Sequence, residues 1–270
     1  MDFKPYSPGQ ANSALFDFLE TKFDQYNNPA FIESDPIAIP HLFHRKEDIE
    51  IAAFFTATIA WGQRTTIIRN ARRLMQLMDD SPYEFITAAE PSDLTRFSSF
   101  VHRTFNGDDV MFFVRSLQNI YRNHGGLETI FSQVVNGTSA DGKEGLQNFR
   151  QVFLSIPFPP HTSRHVADIA AGSAAKRLNM LLRWMVRKDK RGVDFGIWKS
   201  VGMHQLFCPL DVHSGRVARK LGLLVRKQND WKAVEELTAA LRTFDPADPV
   251  KYDFALFGLG VFENSKSCDE

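Results

Sequence analysis

The sequence predicts an all-α protein. Three observations carry that prediction. Apolar residues recur at helical spacing nearly throughout, no convincing run alternates apolar with polar residues, and caps and breakers fall where the stripes start and stop. In chain order, Ile51, Phe54, Phe55, Thr58 and Ile59 form an apolar helix. Ile67, Ala71, Leu74 and Met78 recur at i, i+4, i+7 and i+11, with Ile68 and Met75 alongside. Val110, Val114, Leu117 and Tyr121 repeat the pattern after a cap at Asp108 or Asp109, and Gly125-Gly126 ends that helix. Pro157-Phe158-Pro159-Pro160 cannot be helical and reads as an extended connection. A small-residue turn at Gly172-Ser173 leads into a helix from about Ala174, and Lys188–Val193 reads as an exposed charged loop. Asp211 follows a turn-forming Pro209 and caps a basic amphipathic helix. Trp231, Val234, Leu237 and Leu241 form another stripe, and Asp248-Pro249 starts a last helix by cap and first-turn proline. About eleven short helices are expected in all.

Composition narrows the class. With 43% apolar and 24% charged residues over 270 positions, the chain has the make-up of a soluble globular protein, one large domain or two lobes sharing a core. No apolar run approaches the roughly 18 residues of a membrane span, and Met1-Asp2-Phe3-Lys4-Pro5 lacks the apolar core of a secretory signal. Cys208 and Cys268 have no paired spacing and fit a reducing cytoplasm. Two thiols also cannot hold an iron–sulfur cluster, which needs about four. His161 and His165, or His41 and His44, lack a third ligand at a recognisable spacing, so no metal site is expected.

The formal net charge is zero, but its distribution is uneven. Residues 171–230 carry thirteen Lys or Arg and four acids (Asp189, Asp194, Asp211, Asp230), a net +9 that leaves −9 for the remainder. Such asymmetry suits one polyanion-facing side; the bland alternative is a set of solvated helix faces.

Three segments carry candidate chemistry. In Cys208-Pro209-Leu210-Asp211-Val212-His213-Ser214-Gly215-Arg216, the Asp211 carboxylate at a helix N-cap would accept backbone N–H bonds. A fixed anion there could stabilise positive charge developing at a sugar C1′ or orient a nucleophile; otherwise it only caps a helix, worth about 1 kcal/mol. In Gly172-Ser173-Ala174-Ala175-Lys176-Arg177, Lys176 falls in the first helical turn. An amine at the positive end of a helix macrodipole is easier to use as a neutral nucleophile, and the turn amides suit a phosphate. The alternative is an exposed helix lysine. In Ala57-Thr58-Ile59-Ala60-Trp61-Gly62-Gln63-Arg64-Thr65-Thr66, a corner joins two helices and offers a polar and an aromatic side chain, or else simply turns the chain on Gly62.

These segments resemble the helix–hairpin–helix DNA glycosylases. The first is similar to that family's Pro-Val-Asp-Val/Thr-His run, whose Asp is catalytic; the second to the hairpin whose second helix opens with the catalytic Lys; the third to Leu-Leu-Ser-Ala-Gln-Ala-Thr, whose Gln fills the gap left by an extruded base. The closest match is to a bacterial family of uncharacterised proteins grouped with them, through Arg177-Leu178-Asn179-Met180-Leu181-Leu182-Arg183-Trp184-Met185-Val186-Arg187 and Asp248-Pro249-Val250-Lys251-Tyr252-Asp253-Phe254-Ala255-Leu256-Phe257. The hairpin departs from Leu-Pro-Gly-Val-Gly, and the 35 residues from Lys176 to Asp211 exceed the usual spacing. The archaeal-type 8-oxoguanine glycosylases share both features.

The resemblance implies a two-lobed helix–hairpin–helix DNA glycosylase-like fold with a central cleft, one integrated domain over residues 1–270. Lobe 1 would span about 45–170 as a helical barrel and lobe 2 about 1–44 plus 200–270, with the hairpin and lysine helix at 165–187 between them. It implies a DNA repair glycosylase that excises a damaged base, an oxidised purine being one candidate, with Schiff-base and AP lyase chemistry. The alternative is a non-catalytic nucleic-acid-binding protein on the same scaffold. Catalysis would fall to Lys176 and Asp211, with Lys199, Lys190 and Lys188 as other candidates for the amine. Gly172, Ser173, His213 and Arg216 would hold phosphate or the extruded nucleotide, helped by Arg219 or Lys220. Gln63 would fill the gap, Trp61 would offer a stacking surface, and Phe254, Phe257 or Tyr252 would stack on the base. The partner is double-stranded DNA, with no cofactor, no membrane and no iron–sulfur cluster, in a cytoplasmic, nucleoid-associated protein.

Overall fold

Twelve α-helices and one short ribbon form among the described residues, which are 13–133 and 142–263 of the computed structural model. The chain is therefore all-α. The polar tail from Asn264 to Glu270, Cys268 and the Met1–Pro5 segment lie outside the described residues. No helix is long and apolar enough to cross a membrane among those described.

The chain divides into two units. Unit 1 comprises residues 1–31, 169–196 and 202–270; unit 2 comprises 32–168 and 197–201. Unit 2 begins at Ile32, and the helix that starts at Lys176 lies in unit 1.

Unit 2 holds α2 (Ala30–Ser34) in its larger part, α3 (Lys46–Thr58), α4 (Arg64–Gln76), α5 (Pro82–Ala88), α6 (Gly107–Asn123), α7 (Leu127–Ser132) and α8 (Gly142–Phe153). Its interior is built on phenylalanine. Phe54, Phe113, Phe149 and Phe153 meet ring to ring at centroid distances from 4.8 to 5.6 Å, mostly tilted or edge-on, the arrangement aromatic quadrupoles favour. The helix α6 is capped by Asn106 rather than by Asp108 or Asp109. The Asn106 side chain accepts from the Asp109 N–H (3.2 Å) and the Asp109 carboxylate accepts from the Asn106 N–H (3.0 Å), a reciprocal box. Asp109 is the inner half of that box, which is why its cap-like identity points two or three positions too far along. The ribbon β1 (Val101–His102) with β2 (Phe105–Asn106) pairs Val101 with Asn106 and His102 with Phe105. Strands of two residues cannot display an alternation, so the sequence gives no sign of them. Residues 197–201 lie against this unit as a strap: the Trp198 indole N–H donates to Glu50 (2.7 Å), and the Ser200 N–H donates to Glu128 (2.9 Å).

Unit 1 holds α1 (Ser13–Tyr26), α9 (Lys176–Val186), α10 (Val212–Lys220), α11 (Trp231–Arg242) and α12 (Asp253–Gly258). The helix α12 runs on into a π-turn at Leu259–Glu263 and packs against α1 and α10. The expected helix start at Asp248-Pro249 is a 3-10 turn, Pro249–Tyr252, that feeds α12. The helix α9 begins at Lys176, not Ala174, because Ala175 sits in the left-handed region at φ +47°, which no helix can include. Gly172 (φ +91°) makes the preceding turn, with open space where a Cβ would lie. Its carbonyl accepts from the Trp231 N–H at 3.0 Å, and Ser173 bridges to Asp230, so the turn is tied to the start of α11. No α-helix precedes this turn between Phe153 and Lys176; the nearest helical turn is 3-10, Pro160–His165.

Candidate functional site

The helix start at Lys176 and the cap at Asp211 meet inside unit 1. Lys176 Nζ lies 3.8 Å from Asp211 Oδ2, both side chains about a quarter exposed. The two oxygens of Asp211 have separate duties. Oδ1 accepts from the backbone N–H of His213 (2.8 Å) and of Ser214 (2.9 Å), which caps α10. Ser214 Oγ returns the bond by accepting from the Asp211 N–H at 3.0 Å. With Oδ1 held, Oδ2 is turned to the amine. The Asp211 backbone is fixed too, since Asn229 donates to its carbonyl at 3.0 Å and is itself held by Arg219 at 2.7 Å. On the lysine side, Met180 Sδ lies 3.8 Å from Nζ, one turn along α9.

A second carboxyl interacts with the pair. Asp253, at the start of α12, is 5% exposed and ion-paired to Arg183, which is two turns along α9 from Lys176. Burial pushes the Asp253 carboxyl up to about 6, against the pull of Arg183 and Lys176 and with a further push from the Asp211 charge. Cys208 is buried beside them, and burial, with the Asp253 charge, pushes its thiol well up, so it is a poor nucleophile. Sequence reasoning gave Asp253 and Arg183 no role. The available signal was an acid inside the apolar run Tyr252-Asp253-Phe254-Ala255-Leu256, which a core can hold only if a cation follows it inside.

Arg183 and Arg187 also correct the charge count. Both are buried: Arg183 Nε pairs with Asp194 at 3.2 Å, and Arg187 reaches Asp189 (2.8 Å), Asp194 (3.1 Å) and Asp248 (3.0 Å). Of the thirteen cations of residues 171–230, these two are buried against acids within unit 1, and Lys176, Arg191 and Arg226 also face acids there, Asp211, Asp24 and Asp230, rather than a polyanion. Arg177, half-buried, is lowered by burial to about 10 and stays a cation at neutral pH.

The other sequence-predicted residues are placed as follows. His213 and Arg216 are exposed on α10, and an Arg216 guanidinium N–H donates to the Gly260 carbonyl at 3.2 Å. Gly260 packs so near α10 that a Cβ there would stand 3.0 Å from that of His213. Arg219 is taken up in the Asn229 bond and Lys220 is exposed. Phe254 is 1% exposed and lies under the Arg183 guanidinium, 4.3 Å from ring centroid to Cζ; it is core, as its apolar neighbours require, and offers no face to a base. Tyr252 is likewise fully buried, its hydroxyl donating to Glu20 at 2.6 Å. Phe257 is half-buried, edge-on to Phe31. Lys188 and Lys190 are exposed on the loop of unit 1, and Lys199 is exposed on the strap of unit 2. Among the described residues, the amine paired with Asp211 is that of Lys176.

Gln63 and Trp61 belong to unit 2. Gln63 is exposed as the residue before α4, without a side-chain cap bond. Trp61 is half-buried. It is stacked on His165 at 6.1 Å and edge-on to His102 at 5.0 Å, so part of its stacking surface is already used. His165 leans on Asp109 (3.3 Å), whose buried carboxyl also accepts from Thr162 (2.7 Å). Burial alone would raise Asp109, but the His165, Thr162 and Asn106 hydrogen bonds hold it below the usual carboxylate range. This cluster braces the Trp61 corner.

An all-α chain whose two units contain, respectively, a lysine–aspartate pair and a phenylalanine core is what the fold and the site define. The chain belongs to the family described as "Protein of unknown function (DUF2400)", whose model matches residues 35–262. No curated protein and no solved structure matches the chain.

Proposed function

We propose that this protein is a DNA repair glycosylase with AP lyase chemistry, on a helix–hairpin–helix glycosylase-like fold, acting on a damaged base in duplex DNA. The observation that carries the reading is the 3.8 Å approach of Lys176 Nζ to Asp211 Oδ2 across 35 residues of sequence. Lys176 supplies the nucleophile: its nitrogen lone pair attacks C1′ while the glycosidic bond breaks and its electron pair leaves with the base. Asp211 Oδ2, fixed because Oδ1 is spent on the helix cap, faces the positive charge that develops at the sugar and lies where the amine proton must go. The nitrogen lone pair then forms the C1′=N bond as the C1′–O4′ bond breaks, its electron pair going to O4′, which takes the second amine proton; β-elimination from this Schiff base expels the 3′ phosphate and cuts the strand. The nucleotide must first leave the helix stack, a step that costs a few kcal/mol and least for a weakened pair. An oxidised purine is the lesion class we put forward, and the protein acts wherever that DNA is, in the cytoplasm at the nucleoid.

The experiment is borohydride trapping on duplexes that each carry one lesion. A covalent protein–DNA adduct is expected with the wild type, none with Lys176→Ala, and little with Asp211→Asn. Absence of any adduct with the wild type, or equal trapping by Lys176→Ala, ends the reading. One observation favours a second reading, a duplex-binding protein without catalysis: no α-helix forms ahead of the Gly172 turn, so the hairpin has only its second helix. That protein would bind duplex with salt sensitivity and release no base.

A further inference from the structure

The helix α4 is amphipathic in an unusual way. Its buried side is Ile67, Ala71, Leu74 and Met75. Its exposed positions are Thr65, Arg69, Arg72, Arg73 and Gln76, with no acid anywhere in the helix. Arg69 sits three and four residues from Arg72 and Arg73, so the like charges share one face, which destabilises a helix in isolation. A face meant only for water mixes signs and gains from i,i+4 pairs; this one does not. Among the described residues no carboxylate pairs with Arg69, Arg72 or Arg73; Arg73 meets only the Ser99 hydroxyl, at 3.4 Å. The nearest acids in sequence, Asp79 and Asp80, lie beyond the helix end, and Asp79 is taken by Arg96 at 2.8 Å.

Two more guanidinium groups of unit 2 lie on or against the ribbon that Asn70 of α4 holds. Asn70 of α4 donates to His102 Nδ1 at 2.9 Å, and His102 Nε2 reaches the Trp61 carbonyl at 3.1 Å, which pins the ribbon to the helix. At the ribbon tip, exposed Arg103 (φ +56°) lies over Gly62, so close that a Cβ there would be 3.0 Å from Nη1. Arg164 donates to the Thr104 carbonyl at the same tip, 2.9 Å. All five cations are arginines, the side chain whose planar fork suits phosphate oxygens in pairs.

We infer that Arg69, Arg72, Arg73, Arg103 and Arg164 of unit 2 form a phosphate-backbone contact surface for duplex DNA. The inference rests on duplex DNA being the partner, as proposed above, but on none of the catalytic residues. The probe is an undamaged DNA duplex, titrated by fluorescence anisotropy over a range of salt. R69Q/R72Q/R73Q, which keeps good helix formers, should weaken binding at least tenfold at low salt. It should also flatten the plot of log affinity against log salt by about 2–3 in slope, roughly 0.9 per lost phosphate contact. R69K/R72K/R73K should keep most of the slope. At low salt and high protein the glutamine variant should still give the borohydride adduct, since Lys176 is intact. Unchanged affinity and slope in the glutamine variant overturn the inference while leaving the adduct, and so the enzymatic reading, in place. If the wild type binds duplex and the variant weakens it, but no adduct forms, the enzymatic reading falls and this surface stands. A wild type that ignores duplex DNA but binds anionic phospholipid vesicles through the same arginines overturns both. Should the triple variant unfold, R72Q alone is expected to flatten the slope by about 1.

Discussion

The two units solve the problem of an interior in opposite ways. Unit 2 is filled with phenylalanine rings, and its buried acids are few and held mainly by neutral donors: Asp109 by Thr162 and the Asn106 N–H, Glu50 by Trp198 and Tyr121. Unit 1 encloses a chain of ions: Asp253, Arg183, Asp194 and Arg187, all 5% exposed or less. Burying rings gains free energy in proportion to apolar area. Burying ions costs several kcal/mol each and is often no better than an apolar replacement. Stability alone does not explain unit 1. One of its ions, Asp253, feels the charges of both Lys176 and Asp211, so this buried chain reaches the pair through Asp253. The lesson is that the costly interior lies beside the candidate chemistry and the efficient one lies elsewhere.

The largest effects are expected from substitutions at the centre of each unit. Phe113→Ala in unit 2 should cost about 3–5 kcal/mol by thermal or denaturant unfolding, through lost transfer energy and a cavity. Arg183→Met in unit 1 should cost a similar roughly 3–5 kcal/mol, because Asp253 and Asp194 lose a buried partner. The two differ in rescue: adding Asp253→Leu to Arg183→Met should recover much of the loss, whereas no second polar change repairs Phe113→Ala. If Arg183→Met alone is neutral, the ions of unit 1 are not coupled as described.

Next in size is a pH effect. The folded Asp253 carboxyl holds its proton to about 6, against an unfolded value of 3.8. A raised acid favours the folded state below both values. Its contribution is lost as pH rises between 3.8 and about 6 and stays lost above. Stability measured by urea unfolding should fall across that window by up to roughly 3 kcal/mol, and Asp253→Asn should flatten the profile. Asp211 gives a smaller and sharper contrast. Asp211→Ala should cost about 1 kcal/mol for the lost cap, whereas Asp211→Asn should keep most of the stability because an amide oxygen also caps. Adduct formation should fall to little in both, which separates the duty of Oδ1 from that of Oδ2. Smallest is Ala175→Gly, expected to stabilise by about 0.5–1 kcal/mol in the same assay, since the left-handed turn before α9 strains any residue with a Cβ.

Much of the helical frame is legible in the sequence because a stripe such as Ile67–Ala71–Leu74 has only one economical structure, and a Pro-x-Asp before an amphipathic run marks a cap whatever the tertiary context. The meeting of Lys176 with Asp211 was legible only through resemblance, since nothing local in 35 residues says that two helix starts converge. The misreadings share one cause. Phe254 looks like a free aromatic, and Arg183 and Arg187 look like surface charge, because a sequence shows residue type and not partner. Arg183 lies over Phe254 and pairs with Asp253, so each hides the other from both solvent and inspection. Ala175 evaded prediction for a related reason: its left-handed turn lies three residues from Gly172, whose carbonyl is tethered to Trp231, a partner far along the chain.

The four tryptophans of the chain divide evenly, Trp184 and Trp231 in unit 1, Trp61 and Trp198 in unit 2. Intrinsic emission can therefore be made to watch one half at a time. A Trp184→Phe/Trp231→Phe protein would glow only from unit 2, with Trp198 blue-shifted because it is buried beside Phe131 and Trp61 red-shifted nearer water. Melting followed by that signal and by the complementary Trp61→Phe/Trp198→Phe signal would tell whether the halves come apart as one cooperative event or in sequence.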